Sequence, residues 1–210
     1  MDIYKDIEQR TNGEIYIGVV GPVRTGKSTF IKRFMDLLVI PSIQDDASRM
    51  RAKDELPQSA AGKTVMTTEP KFIPQEAANI IVGDGVKLSC RMIDCVGYMV
   101  QGAEGHEEEG KERLVKTPWF DYEIPFTKAA EIGTKKVIYD HSTVGIVVSC
   151  DGSITDIDRT AYIEPEARTV EELKSIGKPF IMLLNSRKPA SAETIELAGE
   201  LEEKYGISVL

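Results

Sequence analysis

The residues Gly21-Pro22-Val23-Arg24-Thr25-Gly26-Lys27-Ser28 have the types and spacing that hold a polyphosphate. They follow the pattern G-x-x-x-x-G-K-[ST]. Gly21 and Gly26 let the backbone curl close to phosphate oxygens. Amide N–H groups of the loop and of the helix that follows then point at the anion. Lys27 brings a point charge to the β- and γ-phosphates. The Ser28 hydroxyl suits Mg²⁺. Pro22, Val23, Thr25 and Thr29, in or just after the loop, complete the candidate nucleotide-binding stretch. Arg24 has two readings. It is either a cation presented to the phosphates in cis, as an arginine finger, or a side chain turned to solvent.

A second cluster lies downstream. Asp94-Cys95-Val96-Gly97 has the form D-x-x-G at the end of a strand-like run. Its carboxylate would hold Mg²⁺, and the Gly97 N–H would sense a γ-phosphate. Asp151, also at a strand end, is the rival carboxylate; the hairpin before Asp94 favours Asp94. Thr67 and Thr68 precede that hairpin. A threonine there would ligate Mg²⁺ and touch the γ-phosphate, and spacing does not choose between the two. Ordinary strand-edge threonines are the alternative. His106 and His141 have no Cys, Asp or Ser partner at useful spacing and read as surface or satisfied residues.

These groups need elements to position them. Glu14 to Val20 is a short β-rich run, and Thr29 to Leu38 repeats apolar residues at helical spacing, so the loop sits between strand and helix. That helix is expected to stop before Pro41. A short amphipathic helix is expected over Asp2 to Arg10, broken at Asn12-Gly13. Residues 42–63 are polar with a helix from about Asp45 to Glu55; Arg51, Lys53 and Lys63 there read as solvated. Lys71 to Pro74, Asn79 to Val82 and Val86 to Ile93 read as strands of a hairpin turning at Gly83-Asp84-Gly85. Residues 98–130 are polar. Glu104 to Arg113 reads as a solvated loop, with Thr117-Pro118-Trp119-Phe120 as an aromatic anchor. Helices are expected over Lys128–Asp140, Glu164–Ser175 and Ala192–Tyr205. Apolar strands are expected over Val144–Cys150 and Phe180–Leu184, and Ile207 to Leu210 begins another. Alternation of this kind means an α/β fold with a mostly parallel sheet, helices on both faces and one antiparallel hairpin.

The chain has 210 residues, enough for one α/β domain over 1–210 and a sizeable core. Its 26 Lys and Arg against 34 Asp and Glu give a net charge of −8, which disfavours nucleic acid as the main partner. Cys90, Cys95 and Cys150 have no metal-binding spacing and read as reduced core residues of a cytosolic protein. No signal peptide or membrane-length apolar run is seen. Because the last residues begin a strand, the expectation is a fragment of a longer protein.

The order of P-loop, threonine, hairpin and D-x-x-G resembles the GTPase-like class of P-loop NTPases, the translation-factor-related (TRAFAC) proteins. Two departures follow. That class reads guanine with N-K-x-D after a late strand; here the place holds Asn185-Ser186-Arg187-Lys188. Asn185 is retained, but an ammonium at Lys188 has no acceptor for the guanine edge. Guanine selectivity should be lost and ATP favoured. Many members also carry a water-orienting Gln after D-x-x-G, where this chain has Tyr98.

A closer resemblance rests on Val23 to Lys32, Asp54 to Lys63, Met66-Thr67-Thr68-Glu69-Pro70-Lys71-Phe72, Asp94-Cys95-Val96-Gly97-Tyr98 and Gly177 to Met182. Together these resemble the stage IV sporulation protein A family of endospore-forming bacteria, over its N-terminal nucleotide-binding domain. The resemblance implies an ATPase using ATP and Mg²⁺. It implies that hydrolysis drives self-assembly into a homopolymer, the basement layer of the spore coat. The layer would lie on the forespore surface, in the mother-cell cytoplasm. A small membrane-anchoring amphipathic peptide and other coat proteins would engage regions absent here. Carried over by residue, Lys27 is the Walker A lysine, Thr67 and Thr68 the sensor threonines, and Asp94 the Mg²⁺-side aspartate. Two other functions stay open on residues alone: a GTP-binding switch that recruits a partner, and a building block that nucleotide merely stabilises.

Overall fold

The computed structural model describes residues 13–57, 69–82, 86–108 and 110–210. The helix expected over Asp2 to Arg10, the turn at Gly83-Asp84-Gly85, Lys63, and both Thr67 and Thr68 lie outside the described residues.

Val19 and Val20 are neighbours in strand β1 (Glu14–Val20), and both are fully buried. Successive strand side chains point to opposite faces, so this strand is covered on both. It is the centre of a five-stranded sheet. On one side lie β2 (Lys71–Val82) and β3 (Val86–Asp94), and on the other β4 (Val144–Cys150) and β5 (Phe180–Asn185), in the order β2-β3-β1-β4-β5. The pairs β3/β1, β1/β4 and β4/β5 are parallel, and only β2 runs antiparallel, against β3. Beyond β5, Ser208 and Leu210 exchange backbone hydrogen bonds with Met182 and Leu184 in a further parallel pairing.

Period-two alternation divides the core between the two faces. Val19, Met92, Ile146 and Val148 face α1 (Lys27–Phe34), meeting Ile31 and the following Met35 and Val39. Val20, Ile93, Val147 and Met182 face the other way. There they meet three helices: α3 (Phe126–Lys136) through Val137 and Ile138 at its end, α4 (Ile163–Ser175) through Val170 and Leu173, and α5 (Ala192–Tyr205) through Leu201 and Tyr205. This is the doubly covered, mostly parallel α/β fold the sequence predicts. Among the described residues no helix is long and apolar enough to cross a membrane.

Several boundaries differ from expectation. α1 ends at Phe34, continues as a π-helical turn over Met35–Val39, and closes in a 3₁₀ turn over Ile40–Ser42 that contains Pro41. Proline has no N–H to carry the α-helical ladder onward. Helix α2 (Asp46–Asp54) starts where the Asp45 carboxylate accepts the Ser48 N–H at 2.7 Å. Arg51 and Lys53 on it are exposed, as expected of a solvated surface. β2 is one strand rather than two, with a register irregularity between Ile73 and Ala78. The charged stretch read as a solvated loop holds a small hairpin, Glu107–Glu108 against Lys111–Glu112. A second hairpin pairs Leu114–Thr117 with Phe120–Pro125, turning at Pro118-Trp119. The first is an exposed ribbon whose charged side chains give no buried face to read; the second buries only Thr117 and Ile124 of its short strands. Trp119 does anchor the second: the Lys136 ammonium lies 5.7 Å from its ring centre.

Cys90, Cys95 and Cys150 are buried free thiols. Burial pushes the Cys90 and Cys95 thiols up to about 11 and raises Cys150 as well. Thiolate is the reactive form. The native chain should therefore resist Ellman's reagent at pH 8 and react only on unfolding. Rapid labelling of any of the three in native protein would contradict their burial.

Candidate functional site

β1 delivers the chain into the phosphate-type loop, and Gly26, in the left-handed region at φ 95°, opens α1. Gly21 has φ 130°, and a Cβ there would collide with the Val148 carbonyl oxygen of β4. Only glycine allows that approach. Arg24 also takes a positive φ of 62°, the sole non-glycine to do so among the described residues. Two side chains brace the loop. The Thr25 hydroxyl donates to Pro22 O at 3.0 Å, and Asn185 Nδ2 donates to Thr25 O at 3.0 Å. At the loop tip Val23 packs in a small apolar cluster with Val100, Cys150 and Tyr162. Thr29 is exposed on the first turn of α1.

Lys27 is 5% exposed. Its ammonium donates to Pro22 O at 2.5 Å and approaches Gly21 O at 3.4 Å. Burial lowers its pKa. An ammonium kept this dry is a strong partner for any anion that reaches it. Ser28 Oγ donates to Asp94 Oδ2 at 2.6 Å. The other oxygen, Asp94 Oδ1, is buried with no hydrogen-bond partner. Burial raises the Asp94 pKa, while Ser28 and Lys27 oppose the rise. A hydroxyl beside a carboxylate with an unused buried oxygen is a donor set for a hard cation, so Ser28 and Asp94 fit Mg²⁺. Among the described residues no three His, Cys, Asp or Glu gather as a metal cluster. Mg²⁺ does not need one, since phosphate and water usually fill most of its shell.

The rival carboxylate is occupied elsewhere. Asp151 Oδ1 accepts the Ser153 N–H and hydroxyl at 2.9 and 2.6 Å, and Oδ2 accepts the Ser186 hydroxyl at 2.6 Å. Burial works against its ionisation, yet hydrogen bonds from Ser153, Ser186 and Thr194 carry its pKa below the ordinary value. It braces the β4 and β5 ends; Asp94 is the carboxylate that meets Ser28.

Gly97 presses on the loop. Its φ is 97°, and a Cβ there would overlap Gly21 O and stand 2.6 Å from Lys27 Nζ. Its N–H donates to Thr134 Oγ1 on α3 at 3.2 Å. The next residue zips the two segments together: Tyr98 N donates to Gly21 O at 3.3 Å and Val23 N donates to Tyr98 O at 2.9 Å. The buried Tyr98 ring points at α4, where its hydroxyl donates to Glu172 and the Arg168 guanidinium lies 4.2 Å from the ring centre. The side chain in the position of a water-orienting Gln is thus engaged with a helix.

At the end of β5, Lys188 is exposed and its N–H donates to Ser186 Oγ. His106 lies near Glu107, and His141 sits edge-on to Phe72; neither joins the loop residues. Thr134, Arg168 and Glu172 were not singled out by sequence reasoning, and no motif marks them. They are far along the chain from Gly97 and Tyr98 and are joined to them only by folding.

The family described as "Stage IV sporulation protein A, ATPase domain" matches residues 1–210. Stage IV sporulation protein A of Bacillus subtilis (strain 168) is 59% identical over 210 residues, and that of Clostridioides difficile (strain 630) is 60% identical over 209. Each match covers 100% of this chain and 43% of the relative, so the chain spans less than half the length of these curated relatives. Among solved structures, a crystal structure of an SsGBP variant matches 99% of this chain and 51% of its own at 16% identity, with a TM-score of 0.46.

Proposed function

This chain belongs to the stage IV sporulation protein A family, as its ATPase domain, and from that premise we propose that it is an Mg²⁺-dependent ATPase whose turnover drives self-assembly during sporulation. The observation that carries the chemistry is the buried Lys27 beside the Ser28–Asp94 pair with its unpartnered Asp94 Oδ1. Loop amides and the α1 N-terminus bind the phosphates. Lys27 exchanges the Pro22 and Gly21 carbonyls for phosphate oxygens and holds charge as it develops on the γ-phosphoryl. Ser28 and Asp94 would hold Mg²⁺, which neutralises charge and orients the transferred group. Thr67 or Thr68 would complete that shell and position water. Turnover is slow, because the Tyr98 side chain is committed to α4 and leaves no water-orienting group after D-x-x-G.

The sporulation role is supported by the family and by the relatives' names. The finer picture comes from the family resemblance: a homopolymer forming the coat basement layer at the forespore surface in the mother-cell cytoplasm. Contacts with a membrane-anchoring peptide and other coat proteins belong to parts of the longer relatives that this chain does not span.

Base preference follows from Lys188, which offers an ammonium where a guanine reader offers a carboxylate. Competition of ATP and GTP for the Mg²⁺-loaded chain, followed by hydrolysis of each, tests it. ATP should win by at least roughly 10-fold, the cost of about one missing hydrogen-bonded contact. Equal or tighter GTP binding would move the reading to a GTP-binding switch.

A further inference from the structure

Gly97 N–H has two possible acceptors of very different kind, and in this fold it is committed to the protein's own. Resting on the phosphate-loop reading above, we propose that Thr134 and Tyr98 form a latch that holds this N–H on α3, and that the strength of the latch sets the preference of the site between nucleoside triphosphate and diphosphate.

The latch has two halves. Thr134 is 0% exposed; its hydroxyl accepts from Gly97 N at 3.2 Å and donates to Ala130 O at 2.8 Å. The hydroxyl is therefore oriented by the helix, with a lone pair fixed toward Gly97. Tyr98 forms the other half. Its backbone is bonded on both sides to the loop at Gly21 and Val23, and its side chain is fastened to α4 by Glu172. Arg168 covers the ring and is itself held by Glu131 and by Glu172. Gly97 lies between these anchors, with its Cα close to Lys27 Nζ and Gly21 O. Its N–H turns toward a γ-phosphate beside Lys27 only by leaving Thr134, and Tyr98, which fixes the following peptide, resists that turn.

A diphosphate needs Lys27 and the loop amides but does not reach Gly97. The work of opening the latch therefore falls on triphosphate binding alone. Weakening the latch should raise triphosphate affinity and leave diphosphate affinity where it was. A ligand shifts such an equilibrium only through its differential contact with the two arrangements. Tyr98 and Thr134 are on this account positioning residues, acting through Gly97 without touching the nucleotide.

The test measures dissociation constants of ADP and of a non-hydrolysable β,γ-imido ATP analogue, both with Mg²⁺, by titration calorimetry on the 210-residue chain. Thr134→Val removes the acceptor at constant volume, and Tyr98→Phe removes the hydroxyl but keeps the ring under Arg168. Each should shift the ratio of the two constants toward the triphosphate by roughly 3- to 10-fold, the size of one net hydrogen bond. Thr134→Ser, which restores the hydroxyl, should return the ratio to that of the wild type. Thermal melting of each variant reports folding separately. An unchanged ratio, or equal weakening of both ligands in folded Thr134→Val, overturns the latch while wild-type binding still stands. A wild type that binds neither ligand overturns the phosphate-loop reading and the latch with it.

Discussion

Lys27→Ala is expected to lower ATP turnover by roughly 100- to 1,000-fold, the loss seen when one preorganised charge-stabilising donor is deleted. The size follows from where the ammonium is. At 5% exposure it is shielded from water, so its interaction with a developing phosphoryl charge is weakly screened. It is also held over Pro22 O at 2.5 Å, within the loop itself, and needs little rearrangement to reach a phosphate. Truncation removes the ammonium from the Pro22 and Gly21 carbonyls, which keep the Thr25 hydroxyl and the Tyr98 N–H as donors, so the loss is mainly one of charge. Lys27→Arg should not rescue, because a planar fork does not fit a slot shaped for a point charge. Phosphate release under saturating ATP measures the effect. Equal rates for wild type and Lys27→Ala would remove Lys27, and the phosphate-loop chemistry, from the account.

The largest effect on stability is expected away from the loop. Glu166 on α4 is 0% exposed, and its carboxylate ties three elements together. Oε1 accepts from Arg159 Nη2 at 2.9 Å and from the Tyr205 hydroxyl at 3.0 Å. Oε2 lies 2.8 Å from Arg159 Nη2 and accepts the Ser149 hydroxyl of β4. Glu166→Ala would leave the Arg159 guanidinium, 18% exposed, and the buried Ser149 and Tyr205 hydroxyls without their acceptor. Breaking a buried pair from one side costs roughly 3–5 kcal/mol. For a domain of this size that lowers Tm by about 10 °C. Asp46→Ala, by contrast, breaks an ion pair to Arg49 in which the Asp46 side chain is 91% exposed, and should cost well under about 1 kcal/mol. Thermal unfolding of the two variants compares them directly. A Glu166→Ala chain that melts within a degree or two of wild type would show that the network contributes specificity rather than stability.

Features carried by neighbouring residues were legible in the sequence. The apolar run of β4 stands out because both its faces are buried, that of β5 because one face is buried and the other half-buried, and α5 is bounded by Ser191 as N-cap and Gly206 in the left-handed region. The loop from Gly21 to Ser28 and the Asp94–Gly97 pattern are local strings, so the eye finds them without a fold. What folding adds is pairing at a distance. Asn185 had significance as the remnant of a base-reading motif; its side chain in fact braces Thr25, 160 positions away. Thr134 looks like any helical threonine until α3 brings it to Gly97. The hairpin over Glu107–Glu112 escaped because its strands are all charge, and the one over Leu114–Pro125 because only Thr117 and Ile124 of its short strands are buried. Glu166 escaped for the opposite reason: a carboxylate in a helix reads as surface, and nothing local says that Arg159 and Tyr205 will close over it.

The central place of β1 has a consequence for synthesis. Its parallel partners, β3 and β4, come much later in the chain, with Ile17 pairing Met92 on one side and Val144 on the other. Gly21 is shaped against Val148, and Thr25 is tied to Asn185. Pairings of such long range form slowly and cannot form before both strands exist. A ribosome that has made the phosphate-binding motif has not yet made the walls that shape it. On a chain emerging at about 5–20 residues per second, the motif waits roughly ten seconds or more for Asn185. Nucleotide binding is therefore among the last properties this domain acquires as it is made, and a nascent chain arrested before β5 should not be retained on immobilised ATP.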